Sequence, residues 1–283
     1  MSCDIINLSQ VLMLNRLYSN MAIMLKSTKT ETLQGGVVDV IRGPGNFLRG
    51  KFLCLNQRVF YHTFIRWLKH LFGAYVIHMK HHKGSFDRPV IIVANHTSRW
   101  DPFFILSCAP KDFVLKQLAW RFPTMHTFFV KIKYVHFKYF LLWIGAYPIK
   151  PKGDLNKSLE KTISILRKKQ NVIFFPEGKL AKKNEKLRPK KGISHLIERS
   201  RVYVLPVYVS YSKRGKNGKG ARIGRACVVF GEAIKSEYFI QKYDKEERHE
   251  QVMKHVYKLS DMKDKYYPHN KANDQSEDSN ITS

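Results

Sequence analysis

The chain has 283 residues, with 50 Lys or Arg against 22 Asp or Glu, for a formal net charge of +28. Such a field attracts phosphorylated substrates, anionic bilayers or nucleic acid, but no nucleic-acid-binding motif accompanies it, so nucleic acid is not an expected partner. Cys3, Cys54, Cys108 and Cys227 stand far apart in no metal-ligand spacing, and His78, His81 and His82 lack a cysteine or carboxylate pair. A disulfide scaffold and a metal centre are therefore excluded as expectations.

The first 25 residues have no basic leading region and are interrupted by polar residues. They read as neither a signal peptide nor a spanning helix, although they are apolar enough for an interfacial one, and Met21 is an alternative start. Nowhere do ~20 apolar residues run uninterrupted, so a chain of this kind that meets a membrane lies on it. Residues 1–50 read as an N-terminal segment, partly disordered or interfacial, with Gly35-Gly36 and Gly43–Gly50 as loop. From Lys51 to Lys80, Phe60, Phe64, Trp67, Leu68 and Leu71 recur at helical spacing among Arg58, Arg66, Lys69 and Lys80. This predicts a helix near 51–80, packed on the domain or membrane-facing with basic flanks.

Ile91–Pro102, IIVANHTSRWDP, is a β-branched run that ends in a polar turn carrying His96, with Asp101 close behind. A histidine at the end of a buried strand can act as a general base when a carboxylate holds one ring nitrogen and leaves the other free. The alternative is a His–Asp pair that merely caps a helix. A helix is expected after Asp101-Pro102, with the proline in its first turn.

Asp112–Lys116 is read as a strand. Residues 128–144 mix Lys131, Lys133 and Lys138 with aromatics and aliphatics, either as a core helix with edge lysines or as a second membrane surface. Gly145–Lys150 precedes a helix whose face is Leu155, Leu159, Ile163 and Leu166. Asn171–Phe175 follows as a strand, making a β-α-β unit with parallel strands. A short helix over Lys191–Ser200, strands over Val202–Val209 and Ala226–Phe230, and a helix over Lys242–Met262 complete the domain. The basic loop Ser212–Arg222 reads as a hairpin turn or an anion site, and residues 263–283 as a disordered polar tail.

Four blocks stand in order: Asn95, His96, Ser98 and Asp101; Gly145 to Lys150; Phe175, Pro176, Glu177 and Gly178; and Pro206 with Val207. In this order they resemble the glycerolipid acyltransferase family, which includes the 1-acylglycerol-3-phosphate (lysophosphatidic acid) acyltransferases. The likeness runs from about Phe72 to Phe230. It implies a single α/β domain, 51–262, with a mixed, largely parallel sheet flanked by helices. It also implies transfer of a fatty acyl group from an acyl-CoA or acyl-ACP thioester to a lysophospholipid hydroxyl, with no cofactor beyond the thioester. Family members often carry a membrane-binding helical element before the first block, which places the chain on the cytoplasmic face of a membrane as a peripheral or monotopic protein meeting an anionic surface.

By that resemblance His96 is the general base and Asp101 its orienter. Glu177, Gly178, Lys179, Lys150, Lys152 and Arg99 are expected at the phosphorylated acceptor, and Asn95, Ser98, Gly145, Phe175, Pro176 and Pro206 support the motifs. Two blocks depart from the family pattern. Lys179-Leu180 follow Gly178 where a hydroxyl residue and an arginine are usual, and Lys150 stands where arginine is common. A guanidinium that grips phosphate bidentately is thus replaced by point charges. The G-x-S-x-G elbow of serine hydrolases is absent, but a thioesterase that uses His96 to activate water stays open.

Overall fold

The computed structural model describes residues 45–78, 88–126, 135–150, 154–181, 187–211 and 226–266. The chain divides into two units, 1–46 and 47–283, and the second holds the elements below apart from the first two residues of α1.

Helix α1 (Gly45–Phe60) continues through a π-helical turn (Tyr61–Ile65) into α2 (Arg66–Leu71). Strands β1 (Tyr75–His78) and β2 (Val90–Ala94) precede α3 (Asp101–Cys108), α4 (Lys111–Lys116) and β3 (Trp120–Met125). Then come α5 (Val135–Trp143), β4 (Ala146–Ile149), α6 (Leu155–Arg167), β5 (Asn171–Phe174) and α7 (Gly192–Ser200). The chain continues with β6 (Tyr203–Tyr211), β7 (Ala226–Phe230), β8 (Ile234–Lys235), α8 (Ser236–Lys242) and α9 (Arg248–Tyr266).

The eight strands form one sheet in the order β1-β7-β6-β2-β5-β3-β4, with β8 beside β6. Strands β6, β2, β5, β3 and β4 run parallel, and β7 and β8 lie antiparallel to β6. The expected mixed, largely parallel sheet is what forms. Its centre is β-branched because both faces are covered: Val90, Ile91, Ile92 and Val93 have no solvent exposure, and the odd and even residues enter two different core clusters. Burying each such side chain contributes roughly 1.5–3 kcal/mol.

The β-α-β reading of 145–175 is refined by the register. Strands β4 and β5 are parallel, but β3 lies between them. In α6, Leu159, Ile163 and Leu166 are buried as the spacing required, while Leu155 stays partly exposed. Asp154 caps this helix by accepting the Asn156 N–H at 2.9 Å.

Three local readings are corrected. Lys111–Lys116 is helical rather than a strand: Pro110 starts the turn, and Phe113 and Val114 are buried on one side. Gly45–Gly50 is the first part of α1 rather than loop. The glycines cost about 1 kcal/mol each in a helix, against which the helical run that follows buries Leu53, Tyr61, Ile65 and Leu68. The terminal helix begins at Arg248, because a separate short helix, α8, closes at Lys242. Lys131, Lys133, His81, His82, the Ser212–Arg222 loop, residues 1–44 and the tail from 267 lie outside the described residues.

Candidate active site

His96 leaves the carboxyl end of β2, and its neighbour fixes where that end points. The buried Asn95 side chain donates to the Val209 carbonyl at 2.7 Å and accepts the Val209 N–H at 2.8 Å. An amide that pairs in this way continues the β2–β6 ladder one step beyond the strand. The turn after His96 is thereby held against β6.

Asp101 has no solvent exposure, and its carboxylate collects the whole turn. Oδ2 accepts the Thr97 and Ser98 N–H groups, each at 2.8 Å, and lies 2.9 Å from Nδ1 of His96. Oδ1 accepts the Tyr211 hydroxyl at 2.7 Å. The helix-cap alternative does not describe this arrangement. No side chain caps α3, and Asp101 gathers donors upstream of the helix instead. Ser98 contributes through its backbone to Asp101, while its hydroxyl accepts the Trp100 N–H at 3.2 Å.

The third block brackets His96 from the other side. Glu177 is 2% exposed; its Oε2 accepts the His96 N–H at 3.0 Å, and its Oε1 accepts the Tyr257 hydroxyl at 2.6 Å. The Ala181 N–H donates to the His96 carbonyl at 2.7 Å. The Phe175 ring stacks on the imidazole, with centroids 4.1 Å apart and planes 20° apart. Backbone, ring plane and Nδ1 of His96 are therefore all fixed, while its side chain remains 21% exposed. Burial raises the Glu177 carboxyl above its ordinary range, against the opposing bonds from Tyr257 and His96. The Tyr211 phenol is pushed up by burial and then by the Asp101 charge, so it stays a donor. Tyr257 is raised by burial and by Glu177.

Two motif glycines have steric reasons. Gly145 adopts φ +108°, and a Cβ there would lie 2.4 Å from the Trp120 carbonyl oxygen and 2.6 Å from the Gln57 side chain. That buried Gln57 donates to the Trp120 and Ile144 carbonyls and accepts the Trp120 N–H, tying α1 to the β3–β4 end of the sheet. Gly178 adopts φ +66°, a left-handed turn, and a Cβ would meet Lys190. Pro176 is buried in the same turn and accepts the Lys190 N–H at 2.9 Å. Pro206 is buried in β6 opposite Val93, and its carbonyl accepts the Gly231 N–H.

The expected cations are arranged less tightly. Arg99, Lys150 and Lys179 are exposed and follow β2, β4 and β5, whose carboxyl ends share one edge of the sheet. Lys179 is one strand from β2. Lys150 is three strands away, roughly 14 Å at ordinary strand spacing. Lys152 lies outside the described residues.

A small apolar crevice of about 20 Å³ lies between α1, α3 and β3, bounded by Phe60, Ile65, Phe103, Leu106, Trp120 and Phe122. Tyr211 and Tyr257 are the participants that the sequence reading missed. They lie 110 and 80 residues from their partners, and no local spacing marks them. Among the described residues, no group of His, Cys, Asp and Glu is placed to hold a metal ion.

The helix leading into β1 has two faces. Leu53, Tyr61, Ile65 and Leu68 are buried, whereas Leu55, Phe64, Trp67 and Leu71 are exposed. One face packs on the domain and the opposite face is apolar toward solvent. On α5, Tyr139, Phe140 and Leu142 are exposed too, and Phe140 and Trp143 meet Phe60 edge-on at 5.7 and 5.8 Å. No helix among the described residues is long and apolar enough to cross a membrane.

Comparison with known proteins gives three results. The family model described as Acyltransferase matches residues 74–210. A search of the curated proteins returns no match. Among solved structures, the chain is similar to the 1-acyl-sn-glycerophosphate (LPA) acyltransferase PlsC from Thermotoga maritima, at 18% identity and a TM-score of 0.49, covering 77% of this chain and 97% of that one.

Proposed function

We propose that this chain, whose residues 74–210 match the family model described as Acyltransferase, transfers a fatty acyl group from an acyl-CoA or acyl-ACP thioester to the free hydroxyl of a lysoglycerophospholipid. The preferred acceptor is 1-acylglycerol-3-phosphate, which gives phosphatidic acid. The observation that carries this reading is the fixed His96–Asp101 pair, 2.9 Å between Nδ1 and Oδ2.

With Nδ1–H donated to Asp101, Nε2 is left as the acceptor for a proton. It takes that proton as the acceptor hydroxyl attacks the thioester carbonyl. The C–O bond forms, the C–S bond breaks, and the imidazolium returns the proton to the departing thiolate. Base assistance of this kind contributes about 10²–10⁴-fold. No nucleophilic side chain is required, since the substrate supplies the hydroxyl. Lys179 and Arg99, on the loops around the base, serve the acceptor phosphate, and Lys150 with Lys152 extends the positive field along the same edge. Asp101 orients the base. Glu177 holds its backbone, which leaves the acceptor to the cations. The exposed apolar face of α1 and α2 lies against an anionic membrane surface, where acceptor and product reside.

The test is incubation of the protein with a labelled acyl thioester, from either donor class, and a panel of lysolipids. Labelled phosphatidic acid formed from lysophosphatidic acid supports the full reading. Label only in another diacyl lipid replaces the acceptor and keeps the reaction. Free fatty acid released at the same rate with or without an acceptor assigns hydrolysis instead.

A further inference from the structure

The acyl-transfer site leaves one cationic cleft unused. About 490 Å³ in volume, it opens between the π-turn with α2 and the α3–α4 junction, and its lining includes Tyr61, Arg66, Lys69, His70, Cys108 and Lys111. The volume is that of an ordinary small-ligand site. Cys108 ends the helix that Asp101 begins, so the cleft lies about 10 Å along α3 from the catalytic turn.

Some surface cations elsewhere are paired. Arg88 meets Glu237, Arg188 meets Glu250, Lys191 meets Glu246 and Lys245 meets Glu198. Among the described residues, no carboxylate forms an ion pair with Arg66, Lys69, His70 or Lys111. Their field is felt nearby. The His62 imidazole is held below its ordinary pKa by burial and then by Lys111, Arg66 and Arg58. The acid that counts there is Asp112, felt at Tyr61.

The same turn of α2 carries apolar side chains outward. Trp67 is 57% exposed and Leu71 75%, and the Arg66 guanidinium lies 5.6 Å from the Trp67 ring centroid. Unpaired cations lining a cleft beside protruding apolar groups match the boundary of a bilayer, where phosphate lies next to acyl chain. A nucleotide would call for an open stacking surface within the cleft, and its aromatic, Tyr61, is buried.

We propose that this cleft is a second anion site, which takes the phosphomonoester headgroup of a bilayer lipid while Trp67 and Leu71 enter the adjoining apolar layer. The inference rests on the membrane-surface reading above and adds a headgroup to it. A phosphomonoester carries about −1.5 to −2 charges near neutral pH, against one on a phosphodiester, and several converging cations favour the former.

The experiment is flotation of the 283-residue protein with phosphatidylcholine vesicles. These contain no anionic lipid, phosphatidylglycerol, or phosphatidic acid at matched surface charge. The protein is wild type, Lys69→Glu with Lys111→Glu, the neutral pair Lys69→Gln with Lys111→Gln, or the charge-matched control Lys168→Glu with Lys254→Glu. The expected result is tighter wild-type binding to phosphatidic acid than to phosphatidylglycerol. That preference is lost, with roughly tenfold weaker binding, in both cleft pairs but not in the control. Equal binding to both anionic vesicles overturns the headgroup site and leaves the membrane reading standing; binding to none overturns both. Equal loss in cleft and control pairs reduces the effect to net charge. Displacement from phosphatidic acid vesicles by adenosine 3′,5′-bisphosphate, abolished in the cleft pairs, reassigns the cleft to a nucleotide. His96→Ala binds vesicles as wild type does, so loss of the acyl-transfer reading is seen separately.

Discussion

The surroundings of His96 and the cationic edge beside it are built on opposite principles. Around the base every degree of freedom is taken up: the ring is stacked on Phe175, Nδ1 is held by Asp101, and the backbone is gripped by Glu177 and Ala181. Arg99, Lys179 and Lys150 are exposed side chains on three separate loops. On the proposed function the contrast follows from the tasks. Proton transfer requires placement within fractions of an ångström, so its residues are buried and shared among several strands. Attraction of a phosphate tolerates looser geometry, and lysines meet that need as point charges.

The contrast can be broken first at Asp101. Asp101→Asn keeps the shape but loses the anion that accepts two backbone N–H groups, the Tyr211 hydroxyl and the His96 ring. Turnover is expected to fall about 10²–10⁴-fold, and thermal melting should show a loss of stability as well. An Asp101→Asn protein within a few-fold of wild-type turnover would mean that the base is not oriented this way.

Tyr211→Phe probes the same clamp more gently. Removal of one donor to a buried carboxylate costs about 1–3 kcal/mol, and the expected readout is roughly tenfold lower kcat at little changed KM. A rise in KM alone would place Tyr211 at the acceptor. Lys179→Gln sharpens the other half of the comparison. Exposed ionic contacts are worth about 0.2–1 kcal/mol, so the acceptor KM should rise at most about fivefold with kcat preserved. Lys150→Gln, three strands from the base, should do less.

The smallest effect is one of pH. Burial raises the Glu177 carboxyl, so the folded protein holds that proton more tightly than the unfolded chain. Its contribution to stability is therefore greatest below the ordinary carboxylate pKa and falls as pH rises through the raised value. Glu177→Gln removes the titration. The difference in melting temperature between wild type and variant should shift in favour of wild type on acidification across that window, and a difference constant with pH would contradict it.

Much of this was legible in the sequence because it is local. The β-branched run 90–94, the apolar face of α6, and His96 with Asp101 each declare themselves within a few residues. The fit of four ordered blocks to the acyltransferase family is met by the match to residues 74–210. What could not be read is what tertiary contact decides. Tyr211 and Tyr257 reach the site only because β6 lies beside β2 and α9 packs over the same sheet. Lys111–Lys116 has strand-like apolar content, but Pro110 and one-sided burial make it a helix. The role of Gly145 is visible only once Trp120 and Gln57 close over it. The order β2-β5-β3-β4, which separates Lys150 from the base, is likewise a property of the sheet rather than of any one strand.

The central claim is that His96 takes the proton of the attacking hydroxyl. The direct measurement is the single-turnover rate of acyl transfer by His96→Gln, with the acceptor that wild type uses, in protein whose melting temperature shows it folded. The expected rate is at least about 10²-fold below wild type, with acceptor binding retained. Transfer within a few-fold of wild type would contradict it, and the base would have to be sought elsewhere in the chain.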